Sequence, residues 1–267
     1  MKKLATALVS AAAIMTMSTT TFAAENPAEV FDRVMEKNNT IQSAEIQSGV
    51  HSVILAKDVI PDGQMKVDMA MHAEMDMQDT TDLKYLAQVA SSILGQDSYS
   101  QVFYTDGYYY VDTNGVKLKY PMPLEQIISS VQTGVNTSNM ESSYMKGISL
   151  NEVNGKRVLA YEANPKKLNK NVKEALGTVM NTLGTDVNLD MNIQEMKGAY
   201  VLDDNDYIIY MTNYIVYNME VLDQPMTCIT LMETEVQNPG EPVVVTLPST
   251  DGYEDLIGLY DGVIESE

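Results

Sequence analysis

The sequence has few of the residues that usually carry chemistry. A single cysteine, Cys228, occurs among 267 residues, which excludes an intramolecular disulfide and leaves the fold to be held by its core. The only histidines are His51 and His72. Neither sits in an H-E-x-x-H pattern or accompanies a G-x-S-x-G elbow, so the common metal-hydrolase and serine-hydrolase signatures are missing. Basic residues number 17 against 37 acidic ones, a balance that repels nucleic acid and anionic membrane and favours solubility. With no catalytic motif in view, the chain reads as non-enzymatic and without a cofactor.

Long apolar runs are confined to the first two dozen residues. Lys2 and Lys3, the apolar stretch from Leu4 to Met17 and the small residues Thr21 and Ala23 have the form of a secretory signal peptide, residues 1–23, cut after Ala23. The stretch is interrupted by Thr6, Ser10 and Thr16 and falls short of the roughly 20 residues a membrane span needs. No later stretch is long enough. Removal of the signal leaves 244 residues and, because it takes two lysines and no acid, moves the net charge from −20 to −22. No cysteine stands at the cleavage site, so a lipobox-type anchor is excluded, and a secreted or cell-surface location is expected. Residues 24–248 read as a single domain and 249–267 as a loosely docked acidic tail.

What is present in quantity is methionine, 19 residues, and it is patterned. From Met65 to Met77 every odd position is apolar: Met65, Val67, Met69, Met71, Ala73, Met75 and Met77. The even positions read Lys66, Asp68, Ala70, His72, Glu74 and Asp76. A side-chain period of two is that of a half-buried strand. At roughly 3.3 Å per residue the apolar face runs for about 43 Å, which requires a large, curved sheet.

Around this stretch the remaining elements take shape. Asn26, Pro27 and Glu29 form a helix start, with Val30, Phe31, Val34 and Met35 as its apolar stripe. A first strand covers 43–55, with Ile46, Val50 and Ile54 on one face, and Pro61-Asp62-Gly63 turns the chain into the methionine strand. From Leu83 to Leu94 the apolar spacing predicts a helix ended by Gly95. Asp106-Gly107, Asn114-Gly115 and Asn154-Gly155 predict tight hairpins. A short helix is expected from Leu124 to Gly134 and a longer one from Asn164 to Gly184, the latter entered through Pro165. A strand is expected from Val187 to Ile193 and a turn at Asp203–Asp206. That turn lacks the glycine and the glutamate of a calcium loop. Long strands follow from Tyr207 to Val221 and from Met226 to Val236, and a last one, Val243–Leu247, closes the sheet.

These features together resemble the carrier superfamily of LolA, LolB and the mycobacterial LppX and LprG lipoproteins, and above all exported relatives from Gram-positive bacteria. The resemblance rests on the signal followed by a helix, the alternating methionine strand, Tyr104-Thr105-Asp106-Gly107-Tyr108-Tyr109-Tyr110 with Asn114-Gly115, the second hairpin at Asn154-Gly155-Lys156, and Val245-Thr246-Leu247-Pro248. It implies an α+β fold, a half-open antiparallel barrel whose concave apolar face is covered by helices and holds a lipid or an acylated partner.

On that basis Met65, Val67, Met69, Met71, Met75 and Met77 are candidate ligand-binding residues, since flexible thioethers adapt to varied acyl shapes. The same face also suits packing a solid core in a structural or protein-interaction domain, binding a protein partner rather than a lipid. Thioether pairs at Met69/Met71 and Met75/Met77 beside His72 are soft enough for copper(I), but His72 lies on the opposite face of the strand, and no metal site is assigned. A monomer is expected.

Overall fold

The computed structural model describes residues 25–56, 60–79, 83–124, 126, 140–170, 191–221 and 224–256. The expected signal peptide, most of the helices expected near 124–134 and 164–184, and the end of the expected acidic tail lie outside these residues. Within them the chain forms helix α1 (Pro27–Asn38) and twelve strands: β1 Ser43–Leu55, β2 Gln64–Asp76, β3 Lys84–Ile93, β4 Gln96–Thr105, β5 Tyr108–Thr113, β6 Val116–Pro121, β7 Met145–Val153, β8 Lys156–Ala163, β9 Met191–Leu202, β10 Ile208–Val221, β11 Gln224–Gln237 and β12 Glu254–Asp255. All twelve belong to one sheet in the order β12-β6-β5-β4-β3-β2-β1-β11-β10-β9-β8-β7. Its pairs are antiparallel except for the short parallel contact of β12 with β6. The sheet does not close, because β7 and β12 stand at opposite ends of the order.

The methionine strand is β2, held between β1 and β3 near the middle of the sheet. Residues directly opposite each other share a face, so the registers propagate its odd face outward. Met71 faces Ser48 on β1 and Val89 on β3, and Ser48 in turn faces Thr234 on β11. This face, called inner here, carries α1. Asn26 caps that helix by accepting from the Ala28 amide at 3.1 Å and donating to Glu29 at 3.1 Å. The helix buries Val30, Phe31, Val34 and Met35 against Leu150, Leu159, Tyr161, Tyr200 and Leu202. Residues 165–170 are also helical, and Leu168 joins the same core. A second apolar cluster on the inner face unites Ala44, Met75, Met77, Leu83, Tyr104 and Val236.

Two expectations are corrected. Leu83–Leu94 does not hold a helix; β3 occupies Lys84–Ile93. The apolar residues that fit a helical spacing also include an alternating set, Leu83, Tyr85, Ala87, Val89 and Ile93, and the edge of β2 supplies a ladder of hydrogen bonds that selects the strand. Gly95 is therefore no helix cap. With Leu94 at φ 53° and Gly95 at φ 77°, the pair forms the same left-handed two-residue turn as Asp106-Gly107, Asn114-Gly115 and Asn154-Gly155. The second correction is Val243–Leu247, which adds no strand to the sheet. It lies between Pro242 and Pro248, which lack amide donors, and runs extended across the outer face. There Val245 packs on Leu86, Phe103 and Tyr110 while Val244 is exposed. Tyr253 completes this cluster edge-on to Phe103 and Tyr110. Buried Ser43 ties the crossing down, its carbonyl accepting from the Gly240 amide and its hydroxyl from the Val243 amide.

Candidate functional site

The inner face lines a partly open cavity of about 720 Å³. Tyr120 on β6 and Tyr161 on β8 both line it, although nine strand intervals separate their strands. Laid flat, those intervals would span about 43 Å at the usual ~4.8 Å spacing. The sheet must therefore curl to bring both tyrosines to one void.

Methionine dominates the wall: Met35 from α1, Met71 and Met75 from β2, Met122 and Met140 from the connections, Met196 from β9, Met211 from β10 and Met232 from β11. Tyr85, Tyr109 and Tyr120 flank them, with Ile41, Ile46, Ile208 and Ile215. Burial raises the pKa values of Tyr85 and Tyr109, the latter strongly. Burial likewise pushes Tyr200 up to about 12, partly offset by its hydrogen bond with Tyr161. These phenols are neutral at physiological pH, and among the described residues the wall carries no charged side chain.

Polar groups are few and mostly engaged. Ser48 and Thr234 hydroxyls bond each other at 2.7 Å, and the Tyr161 hydroxyl donates to the side-chain carbonyl of Asn213. Asn38 links helix to sheet by donating to the Val34 and Asp206 carbonyls and accepting from the Ile208 amide. Gly198 sits where a Cβ would come within 2.5 Å of both Asn213 Oδ1 and the Thr212 carbonyl. Only glycine lets β9 pass this close to the Asn213–Tyr161 pair.

The predicted site residues separate along β2. Met71 and Met75 line the cavity, together with Ala73. Met77 is buried beside them in the second core cluster. Met65, Val67 and Met69 do not reach the cavity, and Met69 is 40% exposed. Six of the eight methionines in the wall come from outside the predicted stretch. Met211 and Met232 carried a recognisable signal, since each sits on an apolar face of a long strand, but Met35, Met122 and Met140 lie in a helix and two connections that share no period with β2.

His72 lies on the outer face, where its Nε2 is 3.1 Å from Glu45 Oε1, turned away from Met69 and Met71. Cys228 is buried on the inner face, with its thiol pKa raised by burial and its sulfur 3.7 Å from that of Met219. The described residues contain no group of three or more His, Cys, Asp or Glu side chains disposed to hold a metal ion. The Asp203–Asp206 segment is a turn in which Asp203 Oδ1 accepts from the Asn205 and Tyr207 amides.

The family profile DUF6612, described as a family of unknown function, matches residues 26–248. The chain belongs to this family. No curated protein matches it. Among solved structures, the DUF6612 chain is similar to LprF from Mycobacterium bovis at 10% identity, covering 84% of this chain and 97% of that one with a TM-score of 0.37. It is also similar to a β-barrel-like DUF1849 protein from Brucella abortus, at 10% identity over 74% and 100% of the two chains with a TM-score of 0.26. A DUF1329 protein from Desulfovibrio piger shares 10% identity over 83% and 96%, with a TM-score of 0.24. No helix among the described residues of this DUF6612 protein is long and apolar enough to cross a membrane.

Proposed function

We propose that this DUF6612 protein is an exported, non-enzymatic binding protein that holds a lipid or other acylated amphiphile in the cavity of its inner face. The observation that carries the reading is the void itself, about 720 Å³, within the range of ligand pockets and larger than a well-packed interior leaves. A wall rich in methionine and tyrosine, and uncharged among the described residues, suits acyl chains, because thioethers repack around flexible guests. Burying ten methylenes there gives about 8 kcal/mol before the costs of ordering the chain. A long chain is therefore retained through purification and a short one is lost.

Purification from an exporting host without detergent, followed by solvent extraction and mass spectrometry, tests this. The expected result is a long-chain amphiphile near one per protein, and one-to-one binding of a fluorescent fatty acid by the stripped protein. Met71→Asp, which puts a charge on the wall, and Ala73→Phe, which fills the void without one, should each weaken that binding at least tenfold while circular dichroism stays native. A wild type free of amphiphile and unable to bind the probe overturns the reading in favour of a packed interaction domain.

A further inference from the structure

The outer face contains a second concavity that the cavity's function does not use. Across the middle of the sheet the registers align Gly49 on β1 with Ala70 on β2 and Ala90 on β3. These three small residues floor a gutter that runs perpendicular to the strands. Glu233 on β11 faces Gly49 and closes one end, and Tyr99 on β4 faces Ala90 and closes the other. Four strand intervals separate the ends, about 19 Å. The space above this floor is a groove of about 1240 Å³.

Glu233 is the unusual member. It is 5% exposed, and its Oε1 accepts from the Tyr210 hydroxyl at 2.7 Å. Its Oε2 is buried with no hydrogen-bond partner among the described residues, and so is the hydroxyl of Thr212, its neighbour across the β10–β11 ladder. A carboxylate oxygen withdrawn from water without a donor costs more than any ordinary surface acid, and it stands at the end of an open gutter. The walls extend the negative field. Glu235 and Asp97 stand on the two rows flanking the floor, as do the His51–Asp68 pair at 2.7 Å and His72, which meets Glu45 at 3.1 Å. Among the described residues no lysine or arginine lines the groove.

We infer that this gutter binds a linear aliphatic polyamine, one terminal ammonium donating to Glu233 Oε2 and the other resting against Tyr99. A slender methylene chain matches a floor of glycine and alanine. A primary ammonium supplies the donor that Glu233 Oε2 lacks, and an aromatic face favours the far cation. A metal ion fits less well, since it needs several carboxylates converging on one point, which the described residues do not provide.

Titration of the purified full-length secreted form with spermidine in 150 mM salt, followed calorimetrically, tests the assignment. One molecule should bind per chain. Glu233→Gln should weaken it at least tenfold, as should Ala70→Lys, which places a cation on an exposed floor position without touching the core. Unchanged affinity in both variants overturns the proposal, as does binding of several equivalents that disappears at this salt, the mark of diffuse attraction to an acidic surface. One-to-one binding of oligolysine with no response to spermidine also overturns it, by assigning the groove to lysines of a protein partner. Fatty-acid binding by the inner cavity should be unaffected in both variants, so failure here is distinguishable from failure of the lipid reading.

Discussion

Leu94 adopts φ 53° in the turn between β3 and β4, a conformation that costs a leucine about 1–2 kcal/mol and an asparagine much less. It is 68% exposed, so its side chain gains little from packing in return. Leu94→Asn should therefore stabilise the protein by about 1 kcal/mol, seen as a higher urea midpoint with an unchanged slope. An unchanged midpoint would mean that the turn is not the left-handed pair described. The same residue explains why β3 was not legible in the sequence. Three hairpins announce themselves through Asp-Gly or Asn-Gly, whose first residue tolerates positive φ. Leu-Gly gives no such signal, and Leu94 instead completes an apparent helical stripe.

At the scale of elements, β2 was legible because alternation over thirteen residues leaves no competing period. Its depth was not. Met75 is 1% exposed and Met69 is 40% exposed on the same face of the same strand, because the curl of the sheet closes over one half and leaves the other open. Met75→Asp should cost several kcal/mol, the price of an unpaired buried charge, while Met69→Asp should stay within about 0.5 kcal/mol; comparable losses in urea melts would refute the gradient. A second element-level contact joins α1 to the β9–β10 turn. Asp206 accepts from Arg33 at 2.8 Å and Arg157 at 2.5 Å, and its backbone carbonyl accepts from Asn38. Burial alone would raise the Asp206 pKa, but the two guanidinium hydrogen bonds outweigh it and lower it. A depressed folded-state pKa means stabilisation that is complete above the unfolded value near 3.9 and lost as pH falls through the folded one. Asp206→Asn should thus cost about 2 kcal/mol at pH 7, and the gap from wild type should narrow below pH 4. A gap independent of pH would contradict the pairing.

For the whole molecule, the sequence carried most of the strands and the sheet class but not which residues meet across the hollow. Strand lengths of 13 and 14 residues in β1, β2, β10 and β11 point to a large sheet. Which residues meet across its hollow depends on pairing β1 with β11, a contact between the two ends of the chain. Until that closure is known, Met71 and Met232 belong to unrelated segments. The same pairing creates the outer gutter: Gly49, Ala70 and Ala90 are unremarkable in their own strands, and only register aligns them with Glu233. The crossing of Val243–Leu247 was misread for a related reason. Its alternation is that of any extended chain with one side against apolar residues, and hydrogen bonding to a neighbour leaves no separate trace in composition.

Among the described residues the sheet ends at two margins, and unpaired margins invite copies to stack edge to edge into fibres. Here the two margins are unlike. The bulge between Met145 and Gly147 breaks the ladder near the start of β7, and at the opposite rim Glu254 and Asp255 lie parallel along Leu118 and Lys119 of β6. Head-to-tail growth would need β7 of one molecule to dock on β6 of the next, where two carboxylates already occupy the seat. The two-residue strand β12, negligible as a source of folding energy, thus sets two carboxylates over part of the β6 edge, the kind of charged cover that disfavours pairing with another strand.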